Sequence, residues 1–464
     1  MEVKKFSLDF ILKASGGNLL KKGRKSFFDG ISTDSRKIKN SEAFAALKGD
    51  NFDGHNFIAD VIDKGIKCII ISSNDCKIEE KKQVWVIKVE DTLKALGDIA
   101  SSYRKLINPL VIGITGSSGK TTTKEMIAAV LKQKYSLLKT EGNLNNLIGL
   151  PMTILRLRNE DIALLEMGTN AFGEIKKLSF IAQPDIAVIT NVGEAHLEGF
   201  GSLEGVAREK KEIFKGLKKD GKAVINSDDP YIVKIAKKLE VKKITFGLKN
   251  SADVSAENLS ELGIKGEKFI LKTPEGRIPV HIKIQGKHNL YNALAASAVG
   301  SLLGISLDDI KKALEQYKPY SMRFEVVRLK NKAYLVNDCY NANPSSMRAA
   351  LETVSSMAGA YRKLAILGDM KELGAASRNA HETIGRLTAQ LNFGKLFLFG
   401  SEAKYIADGA LSKNFNKKDI FLSSDKFEIF KKVKFELKEN DWILVKGSRG
   451  MKLEEIASML RKDI

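Results

Sequence analysis

Lys120 and Thr121 stand in a stretch, residues 110–126, whose residue types suit phosphate chemistry. Gly113, Gly116 and Gly119 punctuate it, with Ser117 and Ser118 between the last two and Thr122 just beyond. An apolar, β-branched run precedes the loop. Met126, Ile127, Val130 and Leu131 follow at helical spacing. The reading is strand, glycine loop, helix. Such a loop lets backbone N–H groups turn inward around a phosphate, because glycine has no Cβ to block the approach. The helix N-terminus adds partial positive charge. In this pattern Lys120 reaches the β/γ-phosphates and the Thr121 hydroxyl sits on Mg²⁺. The pattern wants glycine where Ile114 stands, and Gly113 lies one residue earlier. The competing reading is a glycine-rich turn with an incidental lysine. The buried run and the Gly-Lys-Thr core favour nucleotide binding, and the motif alone names no reaction.

Other residues of chemical interest cluster at the ends of apolar runs. Glu166 ends the run 162–167, where a carboxylate is costly unless it meets a cation. A Mg²⁺ opposite Thr121 would supply one, and a salt bridge would serve as well. His196 follows the next run, in a position suited to metal ligation or to a structural role. Lys210 and Lys211 belong to a helical pattern that could be a solvated face. Asn143, Asn145 and Asn146 make an amide-rich loop. His288, Asn289 and Asn292 lie in a segment that precedes an alanine-rich helix, where they could cap it or Asn292 could read an adenine edge. Near the N-terminus Asp34, Ser35, Arg36, Asp53 and His55 lie in polar loops, and spacing alone makes them caps and turn residues.

These positions need a scaffold. Apolar runs at 110–115, 162–167, 186–191, 223–226 and 244–247 alternate with helical patterns, among them 203–217 and 293–303. That implies α/β architecture, with a mostly parallel sheet covered on both faces and ligands at the carboxyl ends of its strands. A second strand–turn–helix series follows: 334–344, 364–369, 396–400 and 442–447. Before the first series, 43–47, 68–72 and 84–89 read as short strands. Three domains are expected, at 1–107, 108–318 and 319–464, with Pro109 and Pro319 at the junctions.

Composition excludes several classes. With 43% hydrophobic and 28% charged residues the chain is globular. No apolar run approaches the 18 or more residues of a membrane span. The N-terminal segment reads as an amphipathic helix, not a signal peptide. Three cysteines, Cys68, Cys76 and Cys339, without CxxC spacing suggest a reducing cytoplasm. The net charge of +20 raises a nucleic-acid partner. The lysines are dispersed in pairs such as Lys81-Lys82 and Lys311-Lys312, however, with no aromatic-interleaved stripe. A lysine-rich surface accounts for them, and no nucleic-acid partner is expected.

Taken together, the motifs resemble the Mur ligases, ATP-dependent amide-bond ligases of peptidoglycan precursor synthesis. The loop 113–121, Glu166, the 191–196 segment, the His288–Asn292 cluster and Arg323 carry the likeness to the family. The segments 337–347 and 367–374, with Asp34-Ser35-Arg36 and Asp53-Gly54-His55, point to the branch that adds D-alanyl-D-alanine to UDP-MurNAc-tripeptide. In this family the Ile114 departure is the usual form. The resemblance implies three α/β domains: an N-terminal substrate domain, a central P-loop ATPase domain and a Rossmann-like C-terminal domain. Gly116, Ser117, Ser118, Gly119, Lys120, Thr121 and Thr122 would hold the ATP phosphates. Thr121 and Glu166 would serve one Mg²⁺, and His196 a second, bridged by a carbamylated Lys210. Asn292, Arg323, Asp338, Asn341 and Asn343 would meet adenosine and the terminal phosphate. Ser35 and Arg36 would lie on the uridine side, and Asn143, Asn145 and Asn146 on the sugar-peptide. Asp369 and residues 446–449 would face D-Ala-D-Ala. A monomer is implied. The rivals are a tripeptide-forming ligase of the same fold, a folylpolyglutamate synthase, a non-catalytic binding module and a nucleic-acid-stimulated P-loop ATPase.

Overall fold

Residue 110 begins the strand around which the central sheet is laid. The computed structural model describes residues 6–49, 52–73, 78 and 82–464. Cys76 and Lys81 lie outside them, as does the start of the expected amphipathic helix, which is seen as Leu8–Ser15. Among the described residues the strands form three large sheets, of five, nine and six strands, and two ribbons.

In the nine-stranded sheet Leu110–Thr115 pairs in parallel with Ile162–Glu166 on one side and Ile186–Ile189 on the other. Leu137–Lys139 lies beyond the first, Lys222–Asn226 and Lys242–Gly247 beyond the second. The strand order therefore reverses at Leu110–Thr115, the place where doubly wound sheets open a ligand crevice. Side chains alternate between two cores, as period-2 geometry requires. Val111, Ala163, Leu165 and Ala187 enter one apolar cluster, while Ile112, Ile114, Leu164 and Val188 enter the other. Such strands have no solvated face, which is why they read as continuous apolar runs.

An antiparallel extension closes the sheet: Val254–Glu261, Glu267–Thr273 and Gly276–Ile282. The apolar spacing did not reveal it. Its strands are rich in Lys, Glu and Ser because only one face is covered, and no long apolar run results.

Helix Thr92–Ile107 joins the five-stranded sheet to the central one. Asp91 caps its start by accepting from Leu93 N and Lys94 N, and Asn108 ends it at φ 53°. The Tyr103 hydroxyl donates to Leu157 O at 2.8 Å, and the apolar cluster runs unbroken from Phe6 to Ile225. The first and central sheets thus share a core. The six-stranded sheet has its own two clusters, and its last strand, Trp442–Lys446, is inserted between Tyr334–Asn337 and Lys363–Gly368.

Two helical readings change. The helix expected over 203–217 is an α-helix only from Leu203–Lys211, and tightens to a 3₁₀ turn at Glu212–Lys215. The alanine-rich helix runs Lys287–Leu302 and starts at Gly286, φ 91°, without a side-chain cap. His288, Asn289 and Asn292 are therefore in its first turns, not ahead of it. Among the described residues no helix is long and apolar enough to cross a membrane.

Candidate active site

The phosphate loop is held from behind. Ser117 N donates to Asn191 O at 3.0 Å, and Ser118 N to Asn191 Oδ1 at 3.0 Å. Thr190 Oγ1 donates to Ser118 O at 2.6 Å, and Ser117 Oγ to Gly193 O at 3.0 Å. With those two loop N–H groups already paired, the N–H groups left open to an anion are those of the uncapped first turn of helix Lys120–Leu131. Two glycines are required by contact. A Cβ on Gly116 would lie 1.9 Å from Thr190 Oγ1, and one on Gly119, φ 76°, would lie 2.6 Å from Asn292 Oδ1. Lys120 Nζ donates to Gly116 O at 2.8 Å. Burial and the Arg323 charge push its ammonium pKa down, and Glu166 partly offsets them.

Glu166 comes off the neighbouring strand end. Its carboxylate accepts from Thr121 Oγ1 at 3.0 Å and from Asn145 Nδ2 at 2.9 Å. Lys124 Nζ lies 3.6 Å away, with Lys124 only 1% exposed. Lys124 also donates to Thr140 O at 2.6 Å. Its position among helical polar residues reads as a solvated lysine; the signal that it is buried is its place one turn after Lys120, facing the strand that ends in Glu166.

Arg323 crosses from the third sheet's side. It sits in a linker where Met322 and Phe324 both have positive φ, 61° and 53°. Its Nη2 donates to Thr121 Oγ1 at 2.8 Å, and its guanidinium stacks 4.0 Å from the Tyr340 ring centroid. Beside it Lys446 Nζ pairs with Asp338 Oδ2 at 2.6 Å. Asn343 caps helix Pro344–Ala358 in a reciprocal pair with Ser346, and its Nδ2 reaches Ser117 O at 3.4 Å. Asn341 Oδ1 accepts from Arg449 N at 3.3 Å. His288 packs edge-on to Phe324, and burial drives its pKa from 6.5 down to about 4. Asn292 accepts from Thr123 Oγ1 at 2.9 Å and donates to Asn289 Oδ1 at 3.1 Å.

The result is one cleft of about 1070 Å³ between the central and third sheets. Ser117 to Thr122, Asn143, Asn145, Glu166, His196, Asn292, Arg323, Asp338, Asn341 and Asn343 all line it. His196, φ 54°, opens the short helix Leu197–Phe200, and its Nδ1 lies 2.6 Å from Glu372 Oε2. That contact holds the Glu372 carboxyl below the usual glutamate range.

Lys210 is 1% exposed, whereas Lys211 is only half-buried. Its neighbour Glu209 accepts from Gly173 N and Ile175 N and so caps the earlier helix Glu174–Ala182. Burial first, and the Lys120 charge second, push the Lys210 amine well below the ordinary lysine range.

Six of the expected site residues, Gly116, Lys210, Asp369, Asn146, Ser35 and Arg36, do not line this cleft. Asp369 is buried but does not line the cleft. Its Oδ1 accepts from Glu402 N and Ala403 N at the head of helix Ala403–Leu411, and its Oδ2 holds Lys371 Nζ at 3.1 Å. A carboxylate so committed positions the cleft-lining Lys371 and has little left for a substrate. Asn146 spends its Oδ1 on Ile148 N and Gly149 N. Ser35 gives its carbonyl to Lys64, and Arg36 is exposed and paired with Asp34 at 2.9 Å; neither is part of the cleft.

Family models match all three parts of the chain: Mur ligase family, catalytic domain, at 28–104; Mur ligase middle domain, at 114–300; and Mur ligase, glutamate ligase domain, at 322–449. A UDP-N-acetylmuramoyl-tripeptide–D-alanyl-D-alanine ligase of Bacillus subtilis is 40% identical over 93% of both chains. The chain belongs to the Mur ligase family. Among solved structures, MurF of Acinetobacter baumannii matches this Mur ligase with a TM-score of 0.91 at 33% identity over 100% of both chains. MurF of Thermotoga maritima in complex with ADP matches with a TM-score of 0.83 at 31% identity, over 94% of this chain and 97% of that one.

The donor chemistry of this Mur ligase's cleft fits Mg²⁺. A hydroxyl and a carboxylate 3.0 Å apart are hard oxygen donors. Among the described residues no group of three or more His, Cys, Asp or Glu is arranged to hold a metal by itself.

Proposed function

We infer that this chain is an ATP-dependent ligase that joins D-alanyl-D-alanine to UDP-N-acetylmuramoyl-tripeptide through an acyl phosphate. The observation that carries the reading is the Arg323–Thr121 bond across the cleft, which puts a guanidinium from the linker before the third sheet beside the glycine loop of the central one. A carboxylate is a poor acyl donor because its oxygen will not leave. Its oxygen attacks the γ-phosphorus of ATP, the bond to ADP breaks, and the acyl carbon now carries phosphate. The D-Ala-D-Ala amine adds to that carbon, loses a proton, and phosphate leaves with the original carboxylate oxygen.

Both steps concentrate anionic charge. Lys120 and Arg323 face it from opposite walls of the cleft. Thr121 and Glu166 would hold Mg²⁺, which when bound supplies further charge neutralisation at the phosphoryl oxygens. His196 and a carbamylated Lys210 would hold a second ion. The un-ionised amine favoured by burial at Lys210 is the form that can take up CO₂. Asn292, Asp338, Asn341 and Asn343 are assigned to adenosine and the terminal phosphate. Ser35 and Arg36 are assigned to the uridine side, Asn143 and Asn145 to the sugar-peptide, and Lys371 with residues 446–449 to the D-Ala-D-Ala face. The working domain limits are 1–107, 108–318 and 319–464, and the working state is a cytoplasmic monomer.

The test uses UDP-MurNAc-tripeptide labelled with ¹⁸O in its terminal carboxylate. A pentapeptide product with one ¹⁸O in each released phosphate supports the acyl phosphate. Pentapeptide with unlabelled phosphate would contradict it.

A further inference from the structure

Lys124 is 1% exposed, and the reaction proposed above makes no use of it. A buried ammonium is costly unless anions or carbonyls surround it. Here they do. Its Nζ donates to Thr140 O at 2.6 Å and lies 3.3 Å from Glu125 Oε1 and 3.6 Å from Glu166 Oε2. Thr140 also accepts, at its Oγ1, from Glu166 N at 3.0 Å, so one lysine is tied to the carboxylate of Glu166 and to the chain beside it. Glu125 has a second cation, Lys139. Lys124 and Lys139 therefore stand against Glu125 and Glu166, and the charges of this group cancel.

On the cleft side the balance is positive. Lys120 lies within reach of the Glu166 charge, and Arg323 Nη2 donates to Thr121 Oγ1 at 2.8 Å. A divalent cation coming alone to the Thr121 hydroxyl and the Glu166 carboxylate meets these two cations, with no net anion behind them. Like charges so close repel strongly where protein replaces water. Nucleotide phosphates carry enough negative charge to reverse the sign.

We propose that Lys124 is a positioning residue that acts through Glu166: it cancels the carboxylate's charge from inside the protein, so that the site takes a divalent cation only together with nucleotide phosphates. The proposal rests on the Mg²⁺ role given to Thr121 and Glu166 above. Its consequence is an order of binding. The empty cleft stays free of metal, and the ion enters with the nucleotide. A Glu166 without Lys124 behind it would gather the ion in advance. Lys124 also ties Glu166 to Thr140, so the carboxylate that waits for the nucleotide is already fixed in place.

The experiment is equilibrium dialysis of radiolabelled Mn²⁺ against the full chain, with and without ADP. Wild type should bind Mn²⁺ about tenfold or more tightly with ADP than without it. Lys124→Met removes the charge at similar length, and Lys124→Arg keeps it. Without ADP, Lys124→Met should bind Mn²⁺ about tenfold or more tightly than wild type, and Lys124→Arg within about threefold of wild type. The gain should vanish when Glu166→Gln is added to Lys124→Met. A merely structural lysine would not give this result, because a damaged site binds less metal, not more. Equal affinity of Lys124→Met and wild type without ADP would overturn the proposal. So would a gain that survives Glu166→Gln, or a wild type that binds Mn²⁺ as tightly without ADP as with it. Lys124→Gln, whose amide can still donate to Thr140 O, gives the reading if Lys124→Met fails to fold. Failure of the metal role itself would show separately, as Glu166→Gln binding Mn²⁺ in the presence of ADP as wild type does.

Discussion

Lys120, half-buried, and Lys210, buried, are two lysines with opposite assignments. Lys120 is assigned to meet phosphate as a cation; burial lowers its ammonium pKa, and the Glu166 charge opposes that shift. Lys120→Ala should lower kcat by about 10²–10³-fold, the scale for removing one preorganised charge from a developing oxyanion; near-normal ligation would take the phosphate loop out of the mechanism. Lys210 is assigned to give up its charge, because its surroundings already disfavour the ammonium. Lys210→Ala should lose most activity and regain part of it with added short carboxylic acids, which can occupy the space of a carbamate. Full activity without them would remove the carbamate. Lys124 makes a third case: a cation beside Glu166 that neutralises the carboxylate inside the protein.

At the scale of elements, the turn from strand Leu110–Thr115 into helix Lys120–Leu131 is the most constrained piece of chain. Gly119→Ala combines a strained φ with a contact on Asn292, so it should weaken ADP binding at least tenfold and cost about 1 kcal/mol of stability from the backbone alone; calorimetric titration with ADP and urea melts would measure both. Unchanged affinity would mean that the first helical turn is not the phosphate cradle. This turn was readable from sequence because glycine, lysine and threonine at that spacing satisfy sterics and charge together. The parallel strands were readable because burial on both faces leaves an apolar run. The hairpin extension at Val254–Ile282 was not, since half-covered strands carry lysine and glutamate. Asp369 shows the limit of strand-end carboxylates as a signal. A helix N-terminus elsewhere in the fold, at Ala403, satisfies it as well as a substrate would, and sequence spacing does not say which is nearer. The same holds for Asn146, which stays with its own backbone. Glu372 was missed because the partner that explains it lies in another domain.

For the whole molecule, the cleft exists because residues from two sheets converge on it, and several of them are charged or titratable. His288 sits at this junction with an ordinary histidine value of 6.5 depressed to about 4 by burial. Between those values the unfolded chain binds the proton and the folded chain does not. His288 therefore lowers stability as pH falls from about 6.5 toward 4, and adds no further slope below that. Urea midpoints should fall over this window, and His288→Asn should flatten that limb; an identical slope in the variant would show that His288 is not neutral in the fold.

The measurement that bears most directly on the central claim is phosphate release from Mg-ATP, with UDP-MurNAc-tripeptide and D-Ala-D-Ala supplied singly and together. Sustained release is expected only with both, matched one for one by UDP-MurNAc-pentapeptide. Release indifferent to both substrates, or stimulated by nucleic acid, would contradict it.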